Sequence, residues 1–426
     1  MTRRQPEHII VIGAGAAGLM AARELARAGT KVTVLEARGR CGGRIHPLPT
    51  AEFAYPAEGG AEFVHGGAPV TRGLLREAGL SLLPVQGRRW SVNQGMLSRD
   101  EMPDFHTDRF YECLSRLEAD TTVTDFLKQH FAGPEYSRLR HFVIRMVEGY
   151  DAADPARMSV LALRDEWTNS DRSMQARVVG GYGAVIDFLA ADCRKQGAMI
   201  HLDAAVSAIE ATDERAIVHC ANGDTHLGDA AILTVPLPVL NQILLSPALR
   251  ERASTAADIG FGNVIKLLLR FKTRWWISGK GMDLSDLSFL LSDEPIRVWW
   301  TQHPTDHPVL TGWIAGPRTA GMAHLAEAEL VESALASLAA IFGLSPEQLR
   351  QDLTAARAIN WARDPFAGGA YSYATPETRR AQSRLARPEG GAVFFSGEAM
   401  YRGRDMGTVE AALASGRDTA RIVLAA

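Results

Sequence analysis

The sequence predicts an α/β fold that opens on a Rossmann-like unit and continues into at least one further domain. Three observations carry this. The run HIIVIGAGAAGLMAARELARAGTKVTVLEAR, starting at His8, reads as strand, glycine turn, helix and second strand. The chain has 426 residues, too many for one ordinary core. Its composition, 46% hydrophobic and 22% charged, is that of a globular protein.

The first strand is placed at His8–Ile12 and the helix through Leu19–Ala28, with Gly29 as its stop. The second strand, Lys31–Leu35, delivers Glu36 at its end. Gly13, Gly15 and Gly18 form GxGxxG. Gly13 makes the tight turn, Gly15 lets the backbone approach a pyrophosphate, and Gly18 permits close helix–strand packing. The helix N-terminus then faces the phosphates, and Glu36 is placed for ribose hydroxyls. The strand before, the helix after and the acid at this distance are the context that makes the motif specific for a dinucleotide. At this point either NAD or FAD satisfies it.

Several classes are disfavoured. A net charge of -3 gives no electrostatic reason to expect nucleic acid or an anionic membrane. Cys41, Cys113, Cys193 and Cys220 lack pair spacing and fit a reducing compartment. The 12 histidines show no clustered or HExxH spacing, so no metal is expected. No stretch is apolar for long enough to cross a bilayer. Arg3 and Arg4 precede an apolar run, but cleavage of that run as a signal peptide would destroy the dinucleotide motif. A cytoplasmic protein is expected.

The run GFGNVIKLLLRF, from Gly260, reads as a strand containing one lysine. With period two, Val264, Lys266, Leu268 and Arg270 share one face, and Ile265, Leu267, Leu269 and Phe271 the other. Taken alone, this is a strand with one wet face and two snorkelling cations.

The segment RGRCGGRI adds Gly42 and Gly43 between Arg38 and Arg44, directly after Glu36. It resembles the extended fingerprint of glutathione-reductase-like flavoproteins, in which such a segment lies along FAD with an arginine near the phosphates. From here the chain resembles the flavin-containing amine oxidases, the superfamily of monoamine oxidases, polyamine oxidases and histone lysine demethylases. The resemblance implies roles for particular residues. In EGGAEFVHG, backbone around Gly60, Ala61 and Glu62 would cross the flavin ring, and His65 falls where animal polyamine oxidases carry an active-site histidine. Val206 matches the position whose backbone contacts adenine. Lys266 matches a lysine that holds a water against flavin N5, which reverses the wet-face reading. In INWARDPFAGGAYSY, Trp361 would lie near the flavin and Tyr371 would wall the substrate cage. Ala370 stands where some monoamine oxidases have a flavin-linking cysteine, so non-covalent FAD is expected. Glu398 would contact the ribityl chain, and Thr408 and Val409 would present helix N–H groups to the flavin pyrimidine, where reduction places negative charge. Thr408 also replaces the second cage tyrosine of monoamine oxidases, implying a roomier cavity.

The resemblance implies a Rossmann-like, glutathione-reductase-like FAD-binding domain from about 1–75, 177–260 and 357–426. An interleaved α+β substrate domain would come from about 76–176, mostly helical, and 261–356, with Trp299 or Trp300 aligning the amine. The implied reaction is oxidative deamination of a mono-, di- or polyamine, with O2 reduced to hydrogen peroxide. Small-molecule amine and O2 are the expected partners, with no nucleic acid or membrane, and a homodimer is left open. Glu62, Glu148 and Asp151 are candidate acids for a distal ammonium. An L-amino acid oxidase is the rival. That family typically carries an arginine just after the GA of the flavin-crossing loop, where this chain has Glu62 and Phe63, although Arg88 or Arg89 could substitute. A desaturase or protoporphyrinogen-type oxidase of the same fold is disfavoured by Lys266 and GAYS. From another class, a low-turnover flavin-bearing interaction protein has no added tower or basic tail to support it.

Overall fold

The structure, a computed structural model, describes residues 6–93, 95–99, 107–168, 174–212, 215–386 and 392–425. A five-stranded parallel sheet runs in the order Val393–Phe395, Ala230–Leu233, His8–Ile12, Lys31–Leu35, Met199–His201. Its central strands are almost wholly apolar because helices cover both faces. The helix Ala16–Arg27 begins directly after Gly15 and packs against the last helix, Val409–Ala425. Gly416 makes that approach possible, since a Cβ there would sit 2.2 Å from the Ala17 carbonyl oxygen. Arg23, buried in the first helix, donates to Asp192 at 2.6 Å and to Glu77, tying that helix to Gly181–Lys195 and Pro69–Ala78.

A seven-stranded sheet runs Leu353–Asn360, Val264–Phe271, Val309–Ala315, Val298–Thr301, Leu287–Ser292, Arg88–Asn93, Met96–Arg99. Its last two strands come from a region that the sequence reads as mostly helical. One face packs on the helix Glu327–Phe342 through Leu267, Leu269, Phe271 and Trp299. A third core joins the helices Thr107–Ser115, Val123–His130, Ser137–Gly149 and Val160–Trp167.

The strand Val264–Phe271 is not the half-wet strand that its alternation alone suggests. It is paired on both edges, with Lys266 opposite Trp313 on one side and Ile359 on the other. The face shared by Lys266 and Leu268 is covered, Lys266 being 1% and Leu268 0% exposed. The segment Leu48–Ala57 packs over Leu268, so the lysine has no route to bulk water along its own strand. No single described helix is long and apolar enough to cross a membrane.

Candidate active site

One cavity of ≈ 1240 Å³ runs from the glycine turn to the seven-stranded sheet. That exceeds the usual size of a small-ligand pocket and gives room for a dinucleotide and a second molecule. At one end lie Gly13, Gly15, Glu36, Arg38, Gly43 and Arg44, with Val206 beside them. Gly13 takes φ +103°, which a side chain rarely adopts. A Cβ on Gly15 would meet only the Gly42 carbonyl oxygen, at 3.9 Å, so the space above it is an open cradle that a side chain would fill. Gly18 lies outside the cavity wall. A Cβ there would meet the Gly13 carbonyl oxygen at 1.9 Å, so its role is the helix–turn contact. The Glu36 carboxylate accepts from the backbone N–H of Ala14 at 2.8 Å and of Arg38 at 3.0 Å, which fixes it at the strand end. Arg38 is held by Asp364 at 2.5 Å. These residues fit the adenine, ribose and pyrophosphate of a flavin dinucleotide.

The middle of the cavity is walled by Gly60, Ala61, Glu62, Trp361, Glu398 and Thr408. Gly60 lies so close to Arg44 that a Cβ would come within 1.8 Å of its carbonyl oxygen. Trp361 closes the other side and donates to the Gly59 carbonyl at 3.3 Å. Glu398 accepts from Arg44 at 2.8 Å and from the Ser372 hydroxyl. Arg44 also donates to the Ala370 carbonyl at 2.7 Å, which pins the loop before Tyr371. Thr408 caps the last helix: its hydroxyl accepts from the Ala411 N–H at 3.1 Å and donates to the Asp405 carbonyl at 2.6 Å. Val409 starts that helix, so its N-terminal end points into the cavity.

Lys266 donates to the Gly60 carbonyl at 3.0 Å and to Glu62 at 2.8 Å. Glu62 also accepts from Arg177 at 2.8 Å, Trp300 at 3.1 Å and Gln302 at 3.1 Å. Burial alone would raise the Glu62 carboxyl, but Lys266 and Arg177 overcome it and hold the group down at about 2. Glu62 is therefore an ionised centre already surrounded by donors, not an acid kept for a distal ammonium. Glu148 is likewise engaged, accepting from Arg318 at 2.8 Å. Trp299 is corrected too. Its ring is wholly buried on the far side of the sheet, donating to the Ile296 carbonyl at 3.0 Å, and Trp300 takes the cavity side.

His65 lies on the strand Phe63–His65, with Nδ1 3.2 Å from the Tyr150 hydroxyl. Burial lowers its imidazole to about 4, so the ring is neutral at physiological pH. The Tyr371 hydroxyl donates to the Tyr150 carbonyl at 2.7 Å, and its phenol is pushed well above its ordinary range, first by burial and then by Asp151. Tyr150 thus orients both residues, a link the sequence reading missed. Its only signal was its place in VEGYDAADP, just before Asp151. Arg177, Trp300 and Gln302, the other partners of the Glu62 centre, come from two distant places, the strand Gln175–Val178 and the end of the strand Val298–Thr301, with no motif around them.

A model of the flavin containing amine oxidoreductases matches residues 16–424. The chain belongs to that family. This amine oxidoreductase is 28% identical to probable polyamine oxidase 4 of Arabidopsis thaliana, over 92% of this chain and 82% of the relative. It is also 28% identical to lysine-specific histone demethylase 2 of Homo sapiens, over 97% of this chain. It spans only part of the demethylases, 53% of that human protein and 30% of lysine-specific histone demethylase 1 homolog 3 of Arabidopsis thaliana. Among solved structures, cyclohexylamine oxidase from Brevibacterium oxydans IH-35A superposes with a TM-score of 0.80 at 21% identity, covering 99% of both chains. Putrescine oxidase bound to putrescine gives the same score, identity and coverage. Both share the fold of this amine oxidoreductase.

Proposed function

We propose that this chain is a cytoplasmic FAD-dependent amine oxidase that oxidatively deaminates a primary or secondary amine, with O2 as electron acceptor. The observation that carries this reading is the Lys266–Glu62 pair, fixed against Gly60 in the cavity wall. Bound FAD would supply two-electron oxidation of the amine's C–N bond to an imine, which water converts to an aldehyde or ketone, and would return the electrons to O2 as hydrogen peroxide.

The protein's part is positioning, exclusion of water and electrostatics. Gly13, Gly15, Gly43 and Arg44 would hold the dinucleotide, with Glu36 on the ribose and Val206 at the adenine. Gly60, Ala61 and Glu62 would support the ring plane opposite Trp361. The helix end at Thr408 and Val409 would stabilise negative charge gathering at the pyrimidine side. Lys266 would place its amino group, and a water bound to it, at the reacting face. Tyr371 and Trp300 would guide the amine, and neutral His65 can exchange a hydrogen bond without adding charge. Ala370 offers no nucleophile, which supports non-covalent FAD. The α-amino acid reading is weaker, because Arg177 and Arg44 are committed to Glu62 and Glu398 and Arg88 pairs with Asp286 at 3.3 Å, which leaves that reading to Arg89 in the cavity wall.

The test is a panel of benzylamine, tyramine, putrescine, spermidine and L-amino acids given to purified yellow protein. Visible bleaching without oxygen and peroxide release with it are expected for at least one amine. Purified protein that stays colourless when FAD is offered would end the reading.

A further inference from the structure

The cavity wall changes sign along its length. Beside Tyr371 it is acidic, since Asp151 and Glu166 both act on that phenol. Elsewhere it is cationic. There the helix Ser137–Gly149 turns His141 and Arg145 to the cavity, and Arg297 and Arg318 face them from the turn before Val298 and the segment after Ala315. Two of these guanidiniums are spoken for. Arg145 donates to Asp293 at 3.2 Å and Arg318 to Glu148 at 2.8 Å.

Arg297 is different. Its Nη1 is buried and has no hydrogen-bond partner among the described residues. Burial lowers its guanidinium, with Arg318 and Arg145 adding to the effect and Asp293 and Glu148 opposing it. His141 is lowered by burial and the same arginines, so it adds no charge near neutrality. Three guanidiniums against two carboxylates leave 3 − 2 = +1, concentrated where a donor is unmet. A buried unpaired donor costs stability, and the natural remedy is a bound oxyanion. One surplus charge suits a monoanionic carboxylate better than a phosphate dianion.

The distance to the reacting end is set by the sheet. Lys266 pairs with Trp313 and Trp313 with Val298, so Arg297 sits two strands over and one residue on from the lysine, roughly 10 Å away at about 4.8 Å per strand. An α-carboxylate cannot reach it while its amine sits beside Tyr371, whereas the far end of a chain can. We propose that the substrate is an amine bearing a carboxylate at its remote end, an ω-amino acid, with the amine beside Tyr371 and the carboxylate on Arg297. This rests on the amine-oxidase reading above and replaces a distal ammonium with a distal anion.

The experiment uses the FAD-loaded protein, its Arg297→Met variant and its Arg297→Lys variant. Octanoate is titrated calorimetrically as a probe that needs no turnover. Wild type should bind it at least about tenfold more tightly than Arg297→Met, the scale of one charge-assisted hydrogen bond, with Arg297→Lys between them. In turnover, kcat/KM should rank 8-aminooctanoate above octylamine and 1,8-diaminooctane, and the first ratio should collapse by about tenfold in Arg297→Met. Equal octanoate affinity in wild type and Arg297→Met, or a wild-type preference for the diamine, overturns the proposal. Failure to oxidise any of the three compounds, with octanoate binding still dependent on Arg297, would instead remove the reaction and keep the anion site.

Discussion

Glu62 gathers four side-chain donors at the cavity wall. Two cations, an indole and an amide converge on one carboxylate that is itself buried. Such a pair contributes little net stability over an apolar substitute, but removing one member strands the rest. Glu62→Gln should therefore cost about 3–5 kcal/mol in urea unfolding, with loss of bound FAD. A cost below about 1 kcal/mol would mean that water reaches the site. The pH dependence follows from the depressed carboxyl. Its contribution is complete above the ordinary value of 4.5 and is lost as pH falls towards about 2. Lys266→Met leaves Arg177 on Glu62, so it should retain FAD while slowing either half-reaction. Unchanged rates in both would remove the role given to Lys266.

At the scale of elements, the helix Gly181–Lys195 starts against a buried acid. Glu58 accepts from the Gly183 N–H at 3.0 Å, while its other oxygen has no hydrogen-bond partner among the described residues. Burial raises this carboxyl to about 7 despite the help of Gly183. The folded state therefore holds a proton there that the unfolded chain releases, and stability falls as pH rises from 4.5 through about 7. Glu58→Gln keeps an acceptor for Gly183 and removes the charge. Thermal unfolding should show the variant matching wild type at pH 5 and exceeding it at pH 8 by on the order of 2–3 kcal/mol. An identical pH profile in both proteins would place water beside Glu58.

At the scale of the molecule, the cavity joins segments from the N-terminal turn to the final helix, so ligand binding and folding are linked. Added FAD should raise the melting temperature of cofactor-stripped protein, by about 2.7 kcal/mol of stability at a hundredfold excess over Kd. Acid precipitation should leave the yellow colour in the supernatant, as Ala370 implies, and a coloured pellet would refute non-covalent attachment. The strong likeness in fold to enzymes about one-fifth identical in sequence shows a shared frame, and a frame by itself selects no substrate.

The glycine turn, Glu36 and the first two strands were legible because their constraints are local: a tight turn, a helix start and a strand end lie within thirty residues. The final helix cap at Thr408 was legible for the same reason. The partners of Glu62 were not, since Arg177, Trp300 and Gln302 stand 115, 238 and 240 residues away. The choice between the two adjacent tryptophans was also beyond alternation alone. It is settled across the sheet, where Gly312 opposes Trp299 and leaves room for its ring, a Cβ there falling 2.9 Å from it. By itself, then, the amino-acid order determined a dinucleotide turn, through short-range backbone geometry, while the flavin and amine chemistry was legible only as a resemblance to a known family. Tertiary structure alone decided which charges are spent and which remain, because neutralisation depends on groups that only packing brings within hydrogen-bond reach.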